Sequence, residues 1–185
     1  MKKLPVHGLV SLLPQDYYAK VEALWQMLAD EFGLTGVETT PFPHFSWLIG
    51  KDFDWPALEH TLRELARETH PITVNTTGIG IFSGPSPVIF IPLVRTDALN
   101  ALHRRIWDAI QPIGVQLSRY YAPDYWMPHI TLAIHDITPQ KIGNVTQKLA
   151  FQNFNWEFNV DNIGFIYDGD DETGEVDYQF KFVAE

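Results

Sequence analysis

The chain has 185 residues, 45% hydrophobic and 14% aromatic against 19% charged, a composition that supports one domain with a real core and excludes a disordered or low-complexity protein. Its 13 Lys and Arg against 23 Asp and Glu leave a formal charge of -10, which argues against gripping long nucleic acid or an anionic membrane by bulk electrostatics. With no cysteine, disulfides, thiolate zinc sites and thiol nucleophiles are excluded.

The start, Met1-Lys2-Lys3 followed by an apolar run, imitates a signal peptide, but Pro5 and His7 interrupt it and no small-residue cleavage site follows. Residues 6–12 alternate and predict a strand. No stretch approaches the roughly 18 apolar residues of a membrane span, so the expected location is cytoplasmic. Pro14-Gln15-Asp16 opens a helix with Val21, Leu24, Trp25, Leu28 and Phe32 at helical spacing, ended by Gly33 and Gly36. A loop rich in Thr and Pro leads to a strand at 44–49, a helix at 54–68 and a β-branched strand at 72–82. The second half repeats this order: strand 88–94, helix 97–110, strand 129–134, a helix capped at Thr138-Pro139, strand 154–167, an acidic turn at 168–174 and strand 176–183.

Residue correspondences support a duplication. Asp16 and Asp97 open equivalent helices, Trp25 and Trp107 sit on them, His44 matches His129, and Ile79-Gly80-Ile81 matches Ile163-Gly164-Phe165, at offsets of 81 to 85 residues. Two equal strand-helix-strand-helix-strand units predict a single domain over 1–185 with pseudo-repeat lobes at about 1–84 and 85–185. The expected fold is α+β and bilobal, two antiparallel sheets around a central cleft with helices outside.

At each duplicated position stands Pro-His-apolar-hydroxyl-apolar: Pro43-His44-Phe45-Ser46-Trp47 and Pro128-His129-Ile130-Thr131-Leu132. On a strand, His44 and Ser46 share one face, as do His129 and Thr131, each pair about 6.5–7 Å apart. An imidazole and a hydroxyl then reach oxygens of one phosphate. Two such strands facing each other place two imidazoles on opposite sides of one phosphorus. One neutral His can take a proton from an attacking water or hydroxyl while a protonated His gives one to the leaving oxygen. The Ser46 and Thr131 hydroxyls would bind the nonbridging oxygens, where charge grows.

The two His-x-Ser/Thr-x strands, one lobe apart in a duplicated α+β chain, resemble the 2H phosphoesterase superfamily, which includes 2′,5′ RNA ligase-like proteins and cyclic nucleotide phosphodiesterases. The resemblance covers nearly the whole chain and implies His44 and His129 as catalytic residues, Ser46 and Thr131 as phosphate ligands, and chemistry on 2′,3′-cyclic phosphates or 2′,5′ linkages, generally without metal. Ser46 stands where Thr is common, which keeps the hydroxyl.

The segment at 117–128 leads into the second motif. Its Arg119 can hold phosphate, and its Tyr121 and Tyr125 can meet a base or sugar, with Phe42 in the symmetric part before the first motif. His135 shares the face of His129, but lies roughly 20 Å along the strand, too far for one ion. No metal site and no cofactor are expected. His7 reads as structural, and His60, His70 and His103 read as surface residues. The segment at 78–84 lacks the dinucleotide spacing, and the acidic turn lacks calcium-loop spacing.

The expected activity is metal-independent hydrolysis of a small cyclic phosphate of a nucleotide or nucleotide-sugar. The alternatives are 2′,5′ RNA ligation or RNA-end processing, with a short RNA end as partner, and a nucleotide-binding module without turnover. Neither membrane nor long nucleic acid is an expected partner.

Overall fold

Strand β1 (His7–Leu12) opens the computed structural model, which describes residues 7–167 and 175–183. Helix α1 (Gln15–Phe32) follows Pro14, buries Val21, Leu24 and Leu28 at helical spacing, and ends at Gly33, whose left-handed φ of 62° lets its N–H reach the Ala29 carbonyl. A 3-10 turn (Gly36–Thr39) leads into β2 (His44–Gly50) and the two-residue β3 (Asp52–Phe53). Asp54 caps α2 (Trp55–Arg67) by accepting the Ala57 N–H, with Pro56 in the first turn. Strands β4 (Ile72–Asn75) and β5 (Gly80–Phe82) close the first half.

The second half holds β6 (Val88–Pro92), α3 (Asp97–Ile110) capped by Thr96, β7 (Gly114–Val115), a 3-10 turn (Arg119–Tyr121) and β8 (His129–Ala133). It continues with α4 (Ile142–Ala150), β9 (Glu157–Val160), β10 (Asn162–Tyr167) and β11 (Glu175–Lys181). The acidic turn expected at 168–174 lies outside the described residues.

The fold is α+β with antiparallel sheets, as expected. One array runs β11-β10-β1-β2 and another β8-β6-β5, and the two join side by side through one residue pair, Phe45 with Ile130. Strands cross between the halves: β5, the last strand of the first, pairs with β6, and β10 of the second pairs with β1. β4 and β9 pair across the halves as well. Helix α1 packs on β8 and α3 on β2, so each half supports the other half's central strand. Apolar side chains from both, including Phe45, Trp47, Ile130 and Leu132, are fully buried in one continuous core.

Three sequence boundaries shift. The run 72–82 breaks between β4 and β5, where Gly78 takes a left-handed φ of 56°, and the run 154–167 breaks at Asp161. Helix α4 starts three residues after Pro139, because the Thr138 carbonyl first closes a turn onto the N–H groups of Lys141 and Ile142, each at 3.0 Å. The pair β3–β7, joining Asp52 to Val115, is too short for periodicity to reveal.

Candidate active site

Antiparallel pairing of Phe45 with Ile130 fixes the register of the two motif strands. It sets His44 beside Thr131 and Ser46 beside His129, all four on the face opposite the buried Phe45 and Ile130. All four line one cleft of about 870 Å³, whose walls also include Trp25, Thr39, Thr40, Phe82, Tyr121 and Tyr125. Sequence alternation placed each His with its hydroxyl; sheet pairing places the two pairs side by side.

Each imidazole is held in the same way. His44 Nδ1 donates to the carbonyl of Phe42, and His129 Nδ1 donates to the carbonyl of Met127 at 2.7 Å, two residues upstream in both motifs. A carbonyl only accepts, so Nδ1 carries the hydrogen in each neutral ring and Nε2 keeps its lone pair. Burial pushes the His44 pKa down to about 4, opposed by the Phe42 carbonyl and reinforced by His129. Burial also lowers His129, opposed by the Met127 carbonyl. Both rings are therefore neutral near pH 7, and a bound anion would raise both.

The backbones of the two hydroxyl residues are held by matched indoles. Trp126 Nε1 donates to the Ser46 carbonyl and Trp25 Nε1 to the Thr131 carbonyl, each at 3.0 Å. Trp25 belongs to the first half and Trp126 to the second, so each half fixes the other's motif. The expected equivalence of Trp25 with Trp107 does not extend to this role. His103, read from sequence as a surface residue, is 1% exposed. It stacks on Trp126 with ring centroids 3.8 Å apart and bonds the Trp47 carbonyl through Nε2 at 3.1 Å. A polar residue at a helical position reads as solvated until its stacking partner is known.

The remaining expected contacts divide. Tyr121 and Tyr125 line the cleft, Tyr125 at its rim with 66% exposure beside Tyr120 and Met127. Arg119 is not among the lining residues; its guanidinium lies 5.3 Å over the Tyr120 ring, which is. The Phe42 side chain is not among them either, and Phe42 acts through its carbonyl. His135 does line the cleft, past the end of β8, with a φ of 75°. Beside it, the Asp136 carboxylate accepts the N–H groups of Thr35 and Gly36 at 2.6 and 2.8 Å, docking the first 3-10 turn against the β8 end. Only glycine fits at 36, where a Cβ would fall 1.8 Å from the Ile134 carbonyl oxygen. Among the described residues no group of three or more His, Asp or Glu is placed to hold a metal ion, and no helix is long and apolar enough to cross a membrane.

Residues 19–172 match the sequence profile of the 2′-5′ RNA ligase superfamily. A protein of Oceanobacillus iheyensis named as a candidate phosphoesterase is 26% identical over 72% of this chain and 76% of its own length. Among solved structures, TT0787 of Thermus thermophilus superposes with a TM-score of 0.69 at 17% identity, covering 97% of this chain and 99% of that one. E. coli LigT complexed with 3′-AMP gives a TM-score of 0.60 at 15% identity over 97% and 99%. Usb1 of Kluyveromyces marxianus gives 0.51 at 11% identity over 96% and 98%. At these identities the structural likenesses establish the fold.

Proposed function

The chain belongs to the 2′-5′ RNA ligase superfamily, a group of 2H phosphoesterases, and from that premise we propose that it hydrolyses the cyclic phosphodiester of a small nucleotide or nucleotide-sugar by two-histidine acid–base catalysis, without a metal. The observation that carries the reading is the square of His44, Ser46, His129 and Thr131 on one cleft face, with both imidazoles tied through Nδ1 to a carbonyl two residues upstream. Phosphoesterase-type relatives and the complex of LigT with 3′-AMP support it.

In the proposed reaction the Ser46 and Thr131 hydroxyls bind the nonbridging oxygens. One Nε2 takes a proton from water as its oxygen bonds to phosphorus. The other imidazolium gives its Nε2 proton to the departing 2′ or 3′ ribose oxygen, and a phosphomonoester leaves. Near symmetry leaves the two roles open in the sequence, but the surroundings differ. His44, neutral down to about pH 4, suits the base. His129 lies against Phe82, ring centroids 4.9 Å apart, in a cleft that Met127, Tyr125 and Ile81 also line, an apolar seat for a nucleoside leaving group. It suits the acid.

RNA-end processing is the second reading, favoured by the superfamily and by the likeness to Usb1. The lining of the cleft weighs against a polymer, because among the described residues it contains no Lys or Arg. The deciding assay offers nucleoside 2′,3′-cyclic phosphates in excess chelator and identifies the products. Turnover by the wild type, reduced about 10²- to 10⁴-fold in His44→Ala and in His129→Ala, supports the reading. Turnover abolished by chelator, or unchanged in both variants, removes it.

A further inference from the structure

We propose that Arg95 is a positioning residue for His129, its guanidinium fastening the loop whose Met127 carbonyl holds that imidazole. The role rests on the phosphoesterase reading and adds a residue to it. Residues 122–128, between the second 3-10 turn and β8, belong to no strand or helix, so no ladder fixes the peptide from which His129 hangs. A carbonyl that sets a ring's orientation has to be set itself.

The end of β6 supplies two anchors, one on each side of Met127. Downstream, the Leu93 N–H donates to the Pro128 carbonyl at 2.9 Å, and the proline ring fixes its own φ. Upstream, Arg95 Nη1 donates to the Trp126 carbonyl at 3.0 Å and Nη2 to the Pro123 carbonyl at 2.9 Å. The Trp126 carbonyl shares a rigid peptide plane with the Met127 N–H, so holding it leaves only the φ and ψ of Met127 to aim the next carbonyl. Met127 precedes a proline, which confines it to extended backbone. With both neighbours held, the Met127 carbonyl meets His129 Nδ1 at 2.7 Å.

The guanidinium is itself aimed from behind. Its Nε donates to Asn100 Oδ1 on α3 at 2.8 Å, and its carbon lies 5.9 Å from the centroid of the Trp126 ring. Donors in one rigid plane tie α3 to two carbonyls of the loop, a span that a lysine ammonium, a single point on a flexible stem, does not reproduce. The Trp126 indole keeps its own seat through the stack on His103. The loop before His44 is fastened separately, by the Asp136 carboxylate on the N–H groups of Thr35 and Gly36. Loosening at Arg95 therefore reaches one imidazole and spares the other.

A double-mutant cycle on a 2′,3′-cyclic nucleotide tests the proposal. Arg95→Gln should lower kcat/KM about tenfold, the worth of one oriented hydrogen bond, mostly in kcat. In the His129→Ala protein the same change should cost less than about twofold, because no imidazole is left to orient. Nitrogen-15 spectra of the neutral His129 ring should show the Nδ1–H tautomer dominant in the wild type and a mixture in Arg95→Gln. Arg95→Lys, which keeps the charge without the fork, should retain most of the loss. An Arg95→Gln loss within about twofold, equal losses in both backgrounds, an unchanged tautomer, or full activity in Arg95→Lys would overturn it. His129→Ala separates the two levels: full activity there sinks the phosphoesterase reading, whereas a crippled His129→Ala beside a silent Arg95→Gln sinks this inference alone.

Discussion

Anion binding by this cleft should be coupled to proton uptake, and sulfate, whose charge is constant across the working range, is the clean probe. Burial lowers both His44 and His129 from the usual 6.5, so above about pH 6.5 the free protein carries no charge on either ring. A sulfate seated against the four-residue square lies within hydrogen-bond reach of Nε2. At about 4 Å and an effective dielectric of about 20, the two charges of sulfate are together worth about 8 kcal/mol to one imidazolium, or about six pKa units. That lifts one imidazole well above 6.5 in the complex. Binding then takes up close to one proton, and affinity should fall about tenfold per pH unit from pH 6.5 to 8.5. Titration calorimetry in two buffers of different ionisation enthalpy measures the uptake directly. In His129→Ala the pH slope should flatten. An affinity flat across that range, or no proton uptake in the wild type, would refute the reasoning.

Further outcomes follow from the residues behind the site. The His103 pKa is held down to about 4, chiefly by burial, so its neutral form contributes stability that is fully present above pH 6.5 and lost as pH falls through 4. The span of about two and a half pH units amounts to roughly 3 kcal/mol. Urea denaturation at pH 7 and at pH 4 should show a smaller acid loss in His103→Gln than in the wild type; equal losses would contradict it. Trp126→Phe removes the donor to the Ser46 carbonyl and shrinks a buried stack, and should cost about 2–4 kcal/mol in the same assay. Trp25, only partly buried, should cost less as Trp25→Phe, about 1 kcal/mol. Both should lower kcat, and a Trp126→Phe protein with unchanged kcat would disprove the indole's positioning role.

The order of elements and the two motif strands were legible because they rest on local periodicity. Val21, Leu24 and Leu28 on α1 declare a helix, and the Phe45–Trp47 face of β2 declares which side is buried, leaving His44 and Ser46 on the other. Pairing between distant segments leaves no such mark. That β2 lies beside β8 through a single residue pair, and that β5 and β10 exchange between halves, comes from packing of the whole sheet. The same limit hid the indole donors, since nothing local to Trp25 announces the Thr131 carbonyl 106 residues away. Arg119 looked apt for phosphate as a rare basic residue beside the second motif, whereas its side chain stacks on Tyr120. Phe42 stood at the right place, and it is the carbonyl that reaches His44.

The central claim is that His44 and His129 divide one proton removal and one proton delivery at phosphorus. A phosphodiester that releases p-nitrophenolate needs no proton on its leaving oxygen, whereas a 2′,3′-cyclic nucleotide does. Comparing kcat/KM of wild type, His44→Ala and His129→Ala on the two substrates, in chelator, tests the division directly. The expected result is a His129→Ala protein crippled on the cyclic nucleotide but within about tenfold of wild type on the activated diester, with His44→Ala crippled on both. Equal losses for both variants on both substrates, or none, would contradict the division.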